Sequence, residues 1–223
     1  MPPTFHSARI AAVLIAAFGV VSTASAGPPL ICHTFVTDAG ARLLPWAASR
    51  DWHAPDPSYD AARLIEDTLG LLAADAPILE RMENLRRATI YAAEQPGATA
   101  ESLLRAVLER TETAPADTRA AALASFDAGY LVEAYRQFGL IYGYRMLSAN
   151  GRQVPMLTTE LAALDGYALV QKALALAPEL HAELDFAASL MTREPLATTH
   201  RDRAASATPP GSLLAQNLAN YLR

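Results

Sequence analysis

From residue 58 onward the apolar residues recur at three- and four-residue intervals, and a few proline-marked breaks cut the pattern. That arrangement commits the chain to a set of packed helices. Leu64, Ile65, Thr68, Leu69 and Leu72 share one face of a first helix, with Ser58 or Asp60 as its cap. At Asp75-Ala76-Pro77 the chain restarts, with Asp75 as N-cap and Pro77 in a first turn, where its missing N–H loses no bond. Ile78, Met82, Leu85 and Thr89 carry the second helix up to Gln95-Pro96-Gly97. Thr99 or Ala100 opens a third, with Leu103, Leu104, Val107 and Leu108 inward, and Thr113–Asp117 breaks it. In the fourth, Phe126, Tyr130, Ala134 and Phe138 repeat every four residues between Leu123 and Leu131, and Gly129 and Ala134 leave room for a close neighbour. Residues 139–151 read either as more helix or as an irregular aromatic stretch. Residues 159–177 read as a fifth helix, and Pro178-Glu179 starts a sixth.

The fold class is therefore all-α: stacked antiparallel helical hairpins, as a bundle or a short α-solenoid, with an irregular N-terminal segment. The helical domain spans 58–193. Its pairs 58–95, 98–138 and 158–193 have the length of helical-repeat units. Leu71-Leu72-Ala73-Ala74-Asp75-Ala76-Pro77-Ile78-Leu79-Glu80 also echoes Ala173-Leu174-Ala175-Leu176-Ala177-Pro178-Glu179-Leu180. Residues 194–211, rich in Thr, Ser, Ala, Pro and Arg, read as a linker. Residues 212–223 read as a short amphipathic helix built on Leu213, Leu214, Leu218, Tyr221 and Leu222.

Residues 1–26 read as a signal peptide. Arg9 is their only charge, an apolar run follows from Ile10 to Val21, and Ala24 and Ala26 occupy the small-residue positions of a cleavage site. The run is too short to span a bilayer. The expected compartment is the periplasm or the medium. Removing 26 of 223 residues leaves 197, and one basic residue goes with them, so 17 basic against 23 acidic residues gives a net charge of −6. Such a surface does not attract nucleic acid or anionic lipid. Cys32 is the only cysteine, so an exported chain of this kind holds together by core packing without an internal disulfide.

Residues 27–57 hold Pro28, Pro29, Pro45, Pro55 and Pro57, which exclude a continuous helix. The same stretch carries Ile31, Phe35, Leu43, Leu44, Trp46 and Trp52, too many large apolar groups for a disordered tail. It is expected to lie across the helices, anchored through its two tryptophans.

Two groups of candidate site residues emerge. Tyr130, Tyr135, Tyr142 and Tyr144, together with Trp52, form an aromatic set that reads either as the lining of a groove for a peptide or glycan or as core packing with phenol groups reaching the surface; Tyr130 lies on the core stripe and Tyr135 faces elsewhere on the helix. Cys32, His33 and His53 offer a thiolate and two imidazoles, the donors that zinc and copper take. Arg81, Arg86 and Arg87 with Glu80, Glu83 and Asn84 read as a charged helix face, either solvated or ion-paired to another helix, and as a functional alternative Arg86 and Arg87 would receive an acidic partner tail. No phosphate loop, nucleophile elbow or zincin histidine pair is present, no cofactor is indicated, and no catalytic residue is assigned.

The stretches Gly27-Pro28-Pro29-Leu30-Ile31-Cys32-His33, Leu44-Pro45-Trp46, Arg81–Ala92 and Phe126–Glu133 resemble a family of exported all-helical bacterial proteins. That likeness carries no catalytic residues over to this chain. Asp165–Leu174 resembles the helices of tetratricopeptide-type repeats. The expected function is a non-enzymatic scaffold that binds a protein or peptide partner in the cell envelope. The alternative is a metal- or thiol-dependent protein using Cys32, His33 and His53.

Overall fold

The computed structural model describes residues 29–47, 51–95, 99–116, 118–142, 145–147, 153–155 and 157–221. The chain is an all-α bundle. Its helices are α1 Pro29–Cys32, α2 Leu64–Leu71, α3 Ile78–Glu94, α4 Thr99–Thr113, α5 Arg119–Tyr142, α6 Thr159–Ala162, α7 Gly166–Leu176, α8 His181–Met191, α9 Leu196–Ala207 and α10 Leu213–Tyr221. A two-stranded antiparallel hairpin, β1 Arg145–Leu147 and β2 Gln153–Pro155, follows α5 and pairs Met146 with Val154. The helix of residue 126 thus runs on to Tyr142 before the chain turns into this hairpin.

Two helices organise the core. α5 packs against α3, α4 and α7. It meets α7 at Gly129 and Gly166, where a Cβ on either residue would sit 2.5 Å from the other's carbonyl oxygen. Only two glycines allow that approach. α3 is buried nearly all round: Leu79, Met82, Leu85, Ala88, Ile90, Tyr91 and Ala92 face inward in several directions. The polar residues between them, Arg81, Glu83, Asn84 and Arg86, are buried as well and need partners inside the protein.

Several boundaries differ from the sequence reading. Asp75 does not cap α3; Pro77 precedes the helix without a side-chain cap, and Asp75 pairs with Arg42 at 3.5 Å. The expected fifth helix is divided into α6 and α7, because Asp165 accepts a hydrogen bond from Ala168 N–H at 2.9 Å and so starts α7 afresh. The segment 194–211 is not a bare linker: α9 occupies most of it and packs closely on α8. Its apolar side is made of small residues, Ala197 and Ala204, with buried His200 between them, so it lacks the large-residue stripe that marks a helix in a sequence. The expected leader, residues 1–26, lies outside the described residues. Among the described residues no helix is long and apolar enough to cross a membrane.

Candidate functional site

The N-terminal segment crosses the bundle as an extended strap, and polar side chains of α3 grip its main chain. Asn84, fully buried, does this with both ends of its amide. Its Oδ1 accepts from Leu44 N–H at 2.8 Å, and its Nδ2 donates to the Arg42 carbonyl at 2.9 Å. One turn away Arg87 donates to the Leu44 carbonyl at 2.5 Å. Tyr91 donates to the Pro45 carbonyl at 2.7 Å and accepts from Asp56 N–H at 2.8 Å. Positions 80, 84, 87 and 91 lie on one side of a helix, so the strap runs along a single row of donors and acceptors.

A buried charge pair anchors the near end of that row. Glu83 accepts from Arg86 at 2.8 Å through both oxygens, from Arg87 at 2.8 Å and from Phe35 N–H at 3.1 Å. Arg86 reaches on to the carbonyls of Ile31 at 3.3 Å and Trp52 at 2.9 Å. Burial by itself would raise the Glu83 carboxyl; the bonds and charge of Arg86 and Arg87 outweigh it and hold Glu83 below its ordinary value. Of the two expectations for this charged face, ion pairing holds and solvation does not: Arg81, Glu83, Asn84 and Arg86 are each at most 1 % exposed, and Arg81 pairs with Asp127 of α5.

At that same end of the strap α10 repeats the device. Asn217 accepts from Val36 N–H at 2.9 Å and donates to the Val36 carbonyl at 2.8 Å. Tyr221 donates to the His33 carbonyl at 3.2 Å. Leu30, Ile31, Phe35 and Leu44 are buried beneath, each worth roughly 1.5–3 kcal/mol of apolar burial. Both tryptophans are only partly buried. They assist the anchoring expected of them: Trp46 lies beside the Arg86 and Arg87 guanidinium groups, 5.0 and 5.5 Å from its ring centroid.

The outer side of the strap is open. Arg42 and Leu44 turn their carbonyls toward α3, so in an extended chain the N–H and C=O of Leu43 point the other way. Among the described residues neither has a hydrogen-bond partner. There the strap and α2 enclose a cleft of about 410 Å³, lined by Leu43, Leu44 and Pro45 on one side and Glu66, Asp67, Gly70 and Leu71 on the other. A Cβ at Gly70 would meet nothing within 4 Å, which marks free space along that wall. Asp67 is held by Arg63 at 2.8 Å and by the Tyr59 hydroxyl at 3.0 Å. Glu66 is exposed on the rim.

Compared with protein-family models, curated proteins and solved structures, the chain matches none.

That geometry separates the expected groove residues. Tyr130 and Tyr135 do not line a groove: they are 0 % and 2 % exposed on the core side of α5. Tyr130 donates to the Leu30 carbonyl at 3.5 Å and Tyr135 to the Ala100 carbonyl at 3.0 Å. Burial holds both phenols well above their ordinary range. The four-residue spacing that identifies Tyr130 as a stripe residue identifies a core position, and Tyr135 is buried too because α5 has neighbours on several sides. Tyr144 and the side chain of Tyr142 lie outside the described residues. Trp52 is half-buried, with its ring 5.2 Å from that of His53.

Cys32, His33 and His53 occupy different surroundings. Cys32 ends α1, and burial pushes its thiol up against the opposing influence of Arg86. His33 packs its ring 5.1 Å from that of Tyr221, and burial lowers its affinity for a proton. His53 lies 3.3 Å from Glu94. Among the described residues, no three or more His, Cys, Asp and Glu side chains gather where a metal ion could sit.

The strap-gripping set Glu83, Asn84, Arg87, Tyr91 and Asn217 escapes a reading based on polarity, which assigns such residues to solvent. The available signal is the distribution of apolar residues around α3: with Leu79, Met82, Ile90 and Ala92 on different sides, polar residues between them have to be interior as well.

Proposed function

We propose that this protein is an exported scaffold of the cell envelope that holds an extended segment of a partner protein against the strap and α2. One observation carries the reading: the helical body already binds one extended chain through its main chain, and the outer edge of that chain, at Leu43, borders an open cleft. An added segment would pair with the Leu43 main chain as an extra strand and place a side chain in the cleft. The apolar floor favours a non-polar side chain there, and Glu66 on the rim favours a basic residue beside it. The signal-like leader supports the envelope as the place of work.

Site-specific photocrosslinking in the native envelope tests this. A photoreactive residue at position 70 is expected to capture a defined partner, and one at exposed Asp202 on α9 is not. Gly70→Trp, which fills the cleft, is expected to abolish copurification of that partner while leaving the helical content unchanged. Equal crosslinking from both positions, or full retention by Gly70→Trp, overturns the proposal.

A further inference from the structure

At a different corner of the molecule, α7, α8 and α9 bring three polar side chains into one line of hydrogen bonds. His200 of α9 is 1 % exposed. Its Nδ1 lies 2.5 Å from Asp185 Oδ1 of α8, and its Nε2 lies 2.8 Å from the Tyr167 hydroxyl of α7. An ionised carboxylate only accepts, so Nδ1 carries the imidazole proton. In the neutral ring Nε2 then holds a lone pair, and the Tyr167 O–H donates to it. Asp185 is itself 4 % exposed, so it is shielded and fixes one tautomer and one ring orientation. Tyr167 is only partly buried and closes the line at its outer end.

A hydroxyl bonded to a base that is in turn oriented by a carboxylate is the general arrangement of an activated nucleophile. We propose that Tyr167 is a base-activated nucleophile toward acyl groups of activated esters, with His200 as the base and Asp185 as the residue that positions it. In the step, Tyr167 Oη attacks the carbonyl carbon and an O–C bond forms. The bond from that carbon to the leaving oxygen breaks, and the phenolic proton passes to His200 Nε2 and from there to the leaving oxygen. Water then hydrolyses the tyrosyl ester, which frees the carboxylic acid and restores the phenol. Burial first, then the charges of Asp185 and Asp165, hold the phenol above its ordinary value against the pull of Arg203. Tyr167 accordingly stays protonated at neutral pH, and its reactivity depends on the imidazole. This activity is independent of partner capture at the strap.

The intact protein is treated with p-nitrophenyl acetate, and acetylation is followed residue by residue by mass spectrometry. Tyr59 is the internal standard: it is also partly buried, and its hydroxyl bonds the Asp67 carboxylate at 3.0 Å with no imidazole in line. General-base assistance predicts acetylation of Tyr167 at least about tenfold faster than of Tyr59. Its rate depends on the protonation of the imidazole as well as of the phenol, so its pH profile is not parallel to that of Tyr59, which has no imidazole in line. His200→Gln brings Tyr167 down to the rate of Tyr59; where that variant fails to fold, the two pH profiles of the unaltered protein decide alone. Tyr167 labelled no faster than Tyr59, or with a parallel pH profile, overturns the proposal.

Discussion

Asn84→Ala is the substitution that most cleanly separates a gripped strap from a strap merely lying on apolar surface. The change removes an acceptor 2.8 Å from Leu44 N–H and a donor 2.9 Å from the Arg42 carbonyl. The Leu44 amide is buried, so leaving it unpaired costs about 1–3 kcal/mol. The Arg42 carbonyl is only partly buried, and water can take over there, so its loss is a net hydrogen bond of about 0.5–1.5 kcal/mol. The expected destabilisation is about 3 kcal/mol, which for a chain of this size lowers Tm by roughly 6–12 °C. Urea unfolding reads the loss as a lower midpoint at unchanged slope. Amide exchange localises it: Leu44 loses protection, and interior amides of α5 change only as far as global stability changes. A loss below about 0.5 kcal/mol, the ordinary range for surface changes, with Leu44 still protected, would refute the claim that Asn84 holds the strap.

Glu83→Gln leaves the fully buried Arg86 without its counter-charge and is expected to cost about 3–5 kcal/mol, measured by the same unfolding experiment. Gly129→Ala places a Cβ 2.5 Å from the Gly166 carbonyl and is expected to destabilise by about 1–3 kcal/mol, whereas Gly70→Ala meets nothing within 4 Å and is expected to stabilise by about 0.5–1 kcal/mol; thermal melts of the pair give opposite signs. Asp127 provides a pH test. Burial pushes its carboxyl from 3.8 up to about 6, against Arg81 at 2.7 Å and Arg110 at 3.1 Å. Between those values the folded state binds more protons than the unfolded chain, so this contribution to stability falls as pH rises toward about 6 and is flat above it. Glu83, held below 4.5, contributes in the opposite sense, its stabilisation being lost as pH falls through its folded value. Unfolding free energies of wild type and Asp127→Asn between about pH 4.5 and 7 are expected to differ in slope below about 6 and run parallel above it.

The all-α class was legible because Leu103, Val107, Phe126 and Tyr130 each lie on a strong helical period bounded by proline or glycine breaks. Where the signal was a short polar residue, it misled or was missed. Asp75 reads as a cap and pairs instead with Arg42, while Asp165, inside an apolar pattern, is the residue that restarts a helix. α9 was invisible because Ala197 and Ala204 make its contact with α8 without large apolar groups. The position of the strap was foreseen, but its means of attachment was not. Tryptophans dominate an estimate based on buried area, whereas Asn84 and Asn217 act through paired hydrogen bonds to main chain that no local pattern encodes. Tyr130 was legible as a core residue from its four-residue period, whereas Tyr135, off that stripe, is core as well because burial depends on how many helices surround α5 and one helix's periodicity does not report that.

The most direct measurement is residue-resolved hydrogen exchange of the intact protein at Phe35, Val36, Leu44 and Asp56. These four amides lie outside regular helix and sheet, and each donates to a side chain: Glu83, Asn217, Asn84 and Tyr91. The account predicts protection at all four comparable to that of interior amides in α3, which places the strap in the same cooperative unit as the core. Exchange at the rate of an open loop, with α3 still protected, would contradict it.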